Sequence, residues 1–147
     1  MTAREVDAAR SRNMRAIRSR DTGPELLLRR ALHARGYRYR VSPGSVVGRP
    51  DMVLSKWRTA VLVHGCFWHA HTGCRFFRLP KTREAFWRDK LAANAARDAR
   101  TMERLTAEGW RIVVVWECAL RADSQAVVES VERFLWSQAR FLELSGS

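Results

Sequence analysis

Gly109-Trp110-Arg111-Ile112-Val113-Val114-Val115-Trp116 contains the clearest strand signal in the chain. Ile112 to Val115 is an unbroken β-branched run, as in a strand covered on both faces. Just upstream, Phe86, Trp87, Leu91, Ala95, Met102 and Leu105 recur near helical intervals. This spacing predicts a long helix over 82–108, with Thr82 as its cap and Gly109 as its stop. Further upstream, 51–54 and 59–63 read as strands, and Ser55-Lys-Trp-Arg58 suits a hairpin loop between them. Hairpin strands run antiparallel, whereas a strand reached through a long helix usually lies parallel to its neighbour. The expected fold is therefore an α/β sandwich around a mixed sheet.

The flanks extend this pattern. Asp21-Thr22-Gly23-Pro24-Glu25 offers cap residues, an early Pro and an acid in the first turn, a strong helix start. Leu26, Leu27, Leu28, Ala31 and Leu32 supply the apolar face, and Gly36 the stop. Tyr37-Arg-Tyr39-Arg-Val41 alternates like a strand, and Pro43-Gly44-Ser45 reads as a turn. Downstream, Ser124 is placed to cap a last helix carrying Val127, Val128, Val131, Phe134 and Leu135. Residues 3–18 look helical but hold only Val6, Met14 and Ile17 as large apolar residues, among five arginines. Such a segment is poorly held by a core and is expected to order on a partner. The expected organisation is a basic arm over 1–20 and one domain over 21–147.

The 147 residues carry a formal net charge of +12. Residues 1–40 hold 11 arginines against 4 acids, a net +7, whereas 121–147 are net −1. That balance favours a polyanionic partner, nucleic acid before an anionic membrane surface. The tail is expected to face away from it. Neither a membrane-spanning run nor the apolar core of a signal peptide is present, which points to an intracellular, cytoplasmic protein.

Three cysteines are too few for a disulfide framework. Two of them lie in His64-Gly-Cys66-Phe-Trp-His69-Ala-His71-Thr-Gly-Cys74, which also holds three of the four histidines. Thiolate and imidazole are the ligands zinc selects, and four of them close a structural site. Cys66, Cys74, the distant Cys118 and one histidine make such a set; spacing leaves His69 and His71 as equal candidates. The alternative is chance clustering around buried free thiols.

Asp51, after Gly48-Arg49-Pro50, stands at the mouth of an otherwise apolar strand. It either caps the turn or presents a rigid carboxylate to a hard cation such as Mg²⁺. If 51–54 and 59–63 form a hairpin, Asp51 and His64 approach each other, with His69 nearby. A histidine there suits water activation or leaving-group protonation. Phe67, Trp68 and Trp87 lie among Arg75, Arg78, Lys81 and Arg83. They suit core packing or wedging between bases.

Taken together, Met14-Arg-Ala-Ile-Arg, Thr22-Gly-Pro-Glu25, Arg49-Pro-Asp51, His64-Gly-Cys-Phe-Trp-His69, Pro80-Lys-Thr-Arg-Glu84, Phe86-Trp87, Asn94, Arg97-Asp98 and Val115-Trp-Glu-Cys118-Ala-Leu120 resemble the very-short-patch mismatch repair (Vsr) endonuclease family over residues 9–121. The resemblance implies a restriction-endonuclease-like three-layer fold with a central mixed sheet and a structural zinc site. It implies an Mg²⁺-dependent endonuclease that nicks one DNA strand beside a T·G mismatch left by 5-methylcytosine deamination. Asp51 would bind Mg²⁺ together with the backbone carbonyl of Val63. His69 would be the base, assisted by His64 and Glu25. Cys66, His71, Cys74 and Cys118 would hold Zn²⁺. Phe67, Trp68 and Trp87 would enter the duplex from one groove and Met14 from the other. The implied enzyme works as a monomer on double-stranded DNA, beside a cytosine-5 methylase and mismatch repair proteins. Two departures stand out: the acid-x-Lys of related nucleases is absent from Thr59-Ala-Val-Leu-Val-His64, and position 63, often Thr in relatives, is Val. Other readings are a restriction-type or junction-cleaving nuclease of the same fold, and a non-catalytic zinc-dependent DNA-binding module.

Overall fold

The computed structural model describes residues 23–146. The expected basic arm over 1–20, with Met14, lies outside the described residues. Elements run in the order α1 (Gly23–Ala34), β1 (Arg40–Val41), β2 (Met52–Leu54), a 3-10 turn (Ser55–Trp57), β3 (Thr59–His64), α2 (Glu84–Ala107), β4 (Arg111–Trp116), α3 (Glu117–Leu135) and β5 (Phe141–Leu144). The strands form one mixed sheet in the order β1-β2-β3-β4-β5. β1, β2 and β3 pair antiparallel, while β3, β4 and β5 pair parallel.

Alternation along the strands divides the core into two layers. Met52, Leu54, Val61, Val63, Val113 and Val115 pack with Leu28 and Leu32 of α1 and Val127, Val131 and Phe134 of α3. Val53, Ala60, Leu62, Ile112, Val114 and Trp116 face the other way, against Leu105 of α2 and the three cysteines. The result is the expected three-layer α/β sandwich. β2 runs opposite to β3 and β4, so its first residues share one sheet end with His64 and Trp116, which lie side by side.

Three local expectations are corrected. The strand expected over 37–41 shrinks to Arg40–Val41. The Tyr37 N–H closes α1 on the Leu32 carbonyl, and the Tyr39 hydroxyl donates to the Arg29 carbonyl, so the tyrosines serve the helix. Thr82 does not cap α2; Arg83 stands before it in the left-handed region (φ 57°) with no side-chain cap. The last helix begins at Glu117, directly after β4, and is broken at Asp123 (φ −163°). There the Asp123 carboxylate, not Ser124, accepts from the Ala126 N–H at 3.0 Å. In addition, the tail supplies a strand that the sequence pattern did not mark: Phe141–Leu144 pairs with β4 at the sheet edge.

Candidate active site and metal centre

Two clusters of side chains form where β2 begins and where β3 and β4 end. The first is built on Asp51. Its carbonyl accepts from the Ser42 N–H (3.2 Å) and its Oδ2 accepts from the Val63 N–H (2.6 Å), so both backbone and side chain are fixed. Glu25, 1% exposed on α1, lies beside it and is paired with Arg29 at 2.5 Å. Burial, and then the Glu25 charge, push the Asp51 carboxyl up to about 8. Two desolvated carboxyls side by side disfavour a second negative charge, and a bound cation would relieve that cost.

His64 closes β3 at 5% exposure, its ring stacked on His69 with centroids 4.0 Å apart and planes at 8°. Burial, with the neighbouring His69 second, pushes the His64 imidazole down to about 3, so it is neutral. Its Nδ1 is buried with no hydrogen-bond partner among the described residues. His69 Nδ1 is hydrogen-bonded to Asp98 Oδ2 from α2. An acid on Nδ1 fixes the tautomer and directs Nε2 outward. His64, His69 and Asp98 also bring their ligand atoms within 4.8 Å of one another and could hold an ion.

The second cluster is Cys66, His71, Cys74 and Cys118, whose ligand atoms all lie within 4.8 Å of one another. The structure thus brings His71 to the thiols and pairs His69 with an acid. The loop bends back because the His71 N–H donates to the Cys66 carbonyl (2.9 Å). Cys118 arrives from the first turn of α3, and the Gly146 N–H donates to its Sγ (3.3 Å). Burial pushes the Cys66 thiol far up. Burial also acts to raise Cys74, but hydrogen bonds led by the Phe76 N–H outweigh it and the thiol is lowered. Three thiols and an imidazole converging in an apolar setting are the donor set of a closed, tetrahedral metal site.

Phe67, Trp68 and Trp87 are half-buried and pack edge-to-face, with centroid separations of 5.2 to 6.1 Å. Asn94 donates to the Trp68 carbonyl at 3.1 Å. One stripe of α2 explains the assembly: Trp87, Leu91, Asn94, Asp98, Thr101 and Leu105 recur at helical intervals. Trp87 meets the aromatics, Asn94 ties the loop, and Asp98 holds His69. Thr101 seats against Gly48, three residues before Asp51. Sequence reasoning gave Asn94, Asp98 and Thr101 no role because the stripe is half polar and its apolar period is blurred. Met14 lies outside the described residues.

Comparison with known proteins identifies relatives of the chain. A sequence model for the family described as DNA mismatch endonuclease Vsr matches residues 5–75. The chain is 44% identical over 132 residues to the DNA mismatch endonuclease Vsr of Escherichia coli strain K12, covering 87% of this chain and 84% of that protein. It is 47% identical over 120 residues to the type II nicking enzyme V.XorIIP of Xanthomonas oryzae pv. oryzae, covering 82% and 88%. It is 41% identical over 121 residues to the nicking enzyme V.NmeAIP of Neisseria meningitidis serogroup A, covering 82% and 86%.

Proposed function

The chain belongs to the Vsr family of DNA mismatch endonucleases, and from that premise we propose that it nicks one strand of double-stranded DNA beside a T·G mismatch. The reaction is Mg²⁺-dependent hydrolysis of a phosphodiester, and it starts very-short-patch repair where 5-methylcytosine has deaminated. The observation that carries this reading is the convergence of Asp51 and the His64–His69–Asp98 set at the sheet end that also bears the aromatic loop.

Asp51 would hold Mg²⁺, with the Val63 backbone carbonyl as a second ligand and Glu25 alongside. The raised Asp51 carboxyl, crowded by Glu25, is the feature that fits a cation there. A carbonyl ligand is indifferent to Val standing at position 63. Bound Mg²⁺ supplies positive charge to the phosphodiester under attack. His69 takes the proton of the attacking water on Nε2, while Asp98 holds its Nδ1 and stabilises the resulting imidazolium. Neutral His64 braces the His69 ring. Cys66, His71, Cys74 and Cys118 would hold a structural Zn²⁺, the ion that best suits thiolate and imidazole together. Phe67, Trp68 and Trp87 would wedge into the base stack at the mismatch, with Met14 of the basic arm entering from the opposite groove. The enzyme would act as a monomer inside the cell, following a cytosine-5 methylase and preceding mismatch repair proteins.

The test is nicking of end-labelled T·G and matched duplexes with Mg²⁺ or EDTA. One-strand cleavage of the T·G duplex, dependent on Mg²⁺, is the expected result. Equal cleavage of matched or branched DNA would favour a restriction-type or junction-cleaving nuclease. Binding without cleavage in any sequence context would favour a zinc-dependent DNA-binding module.

A further inference from the structure

We propose that Trp116 is a positioning residue for the His64–His69 pair, and that Glu143 on the edge strand sets the angle of its ring. The inference rests on reading His69 as the base. Trp116 ends β4 directly opposite His64 on β3 and is 8% exposed. One face of its indole stacks on His71, with centroids 3.9 Å apart and planes at 7°. The same ring meets His64 edge-on at 5.0 Å and 76°, and His69 at 6.3 Å and 82°. It therefore forms a corner plate between the Cys/His centre and the stacked histidines.

The histidine pair needs such a plate. Its members are parallel and 4.0 Å apart, so rotation of one ring drives the other. His64 has no hydrogen bond at Nδ1 to fix its rotation, so packing must do so. Asp98 restrains His69 at one atom, which still allows the ring to swing about that bond. A plate perpendicular to both rings opposes that swing.

The plate itself is pinned from an unexpected side. Glu143 pairs with Val114, so it projects from the sheet face that carries Val114 and Trp116. From there its Oε2 accepts from the Trp116 Nε1–H at 2.7 Å. A diagonal cross-strand pair of this kind lies within reach of long side chains. The bond locks the indole torsion that stacking on His71 alone would leave loose. The next turn of chain reaches the other centre, where the Gly146 N–H donates to Cys118 Sγ. The edge strand, which looks dispensable by composition, thus holds both centres.

The experiment compares Trp116→Leu, Trp116→Phe, Glu143→Ala and Glu143→Gln in the zinc-loaded full-length chain. Four quantities are read: single-turnover nicking of a T·G duplex, duplex Kd, zinc content and the NMR cross-relaxation (NOE) between the ring protons of His64 and His69. Trp116→Leu is expected to slow single-turnover nicking about 30-fold and Glu143→Ala about fivefold, the scale of a small misplacement of a reacting group. Duplex Kd should stay within about twofold and zinc content unchanged, because neither residue is placed on the duplex or among the ligands. Trp116→Phe and Glu143→Gln should recover most of the rate, and the His64–His69 NOE should follow the rates. A His64–His69 NOE unchanged in Glu143→Ala and Trp116→Leu, or rates unchanged in both, would overturn the proposal. If Trp116→Leu loses zinc, Glu143→Ala and Trp116→Phe decide by the same criteria. If the wild-type chain does not nick T·G DNA at all, the functional reading fails, and the His64–His69 NOE alone decides the positioning role.

Discussion

At the scale of single residues, His69 and Asp51 each rest on an identifiable neighbour. His69 depends on Asp98, so Asp98→Asn should lower kcat about a hundredfold or more while leaving duplex affinity near wild type, as loss of an orienting acid does. Equal loss of kcat and affinity would mean that Asp98 contacts DNA instead. Asp51 depends on its approach from Gly48. Gly48 has φ +76°, and a Cβ there would stand 2.2 Å from the Thr101 methyl. Gly48→Ala should therefore cost about 2–3 kcal/mol of stability, measured by urea unfolding, from the sum of strain and overpacking. Adding Thr101→Ser removes the methyl but leaves the strained φ, so recovery should be partial. Asp51, the histidines and the cysteines were legible in the sequence because their chemistry is rare and clustered. The roles of Asp98 and Thr101 were not, although Arg97-Asp98 is part of the family resemblance, because an Asp or Thr on an Arg-rich helix looks like solvated surface until the helix is oriented.

At the scale of elements, strands and helices were legible wherever burial was two-sided or periodic. β3 and β4 followed directly from Thr59-Ala-Val-Leu-Val and Ile112-Val-Val-Val, and α2 from the helical spacing of Phe86, Trp87, Leu91, Ala95, Met102 and Leu105. β5 escaped because Phe-Leu-Glu-Leu is short and half exposed, as suits an edge. The start of α3 escaped because Glu117-Cys-Ala-Leu follows a strand with no turn residue, and the visible cap belongs to the second segment at Asp123. Asp123→Ala should cost about 1 kcal/mol in thermal or urea unfolding, the usual worth of an N-cap. The same α3 carries Cys118 into the thiol cluster. Cys118→Ser should release the metal and lower stability, because binding free energy at such a site is folding free energy. Metal content by mass spectrometry checks this; full retention would leave Cys118 as a core thiol only.

At the scale of the whole molecule, the sheet brings one carboxylate pair and one histidine pair to a single end, and their titrations oppose each other. Asp51 keeps its proton to about 8 in the fold, whereas an unfolded carboxyl loses it near about 4. Between those values the native state binds the extra proton, so stability falls as pH rises. His64 stays neutral down to about 3 in the fold, while an unfolded histidine is protonated below about 6.5, so its contribution is lost as pH falls below that point. From about pH 6.5 to 8 only the Asp51 effect remains, and the Mg²⁺-free, zinc-loaded protein should lose thermal stability across that window. Saturating Mg²⁺ should flatten the slope, and a slope unchanged by Mg²⁺ would place the ion elsewhere. The net charge of +12 supplies salt-sensitive affinity for DNA without selecting a sequence. In the proposed function, selection and cutting fall to the aromatic loop and to Asp51 with the histidines. The most direct measurement is therefore single-strand nicking of a T·G duplex and its matched control by wild type and Asp51→Ala with Mg²⁺ present. The account predicts that wild type nicks the mismatched duplex alone, and that Asp51→Ala binds that duplex, stays folded and nicks nothing. Full nicking by Asp51→Ala, or equal cleavage of the matched duplex by wild type, would contradict it.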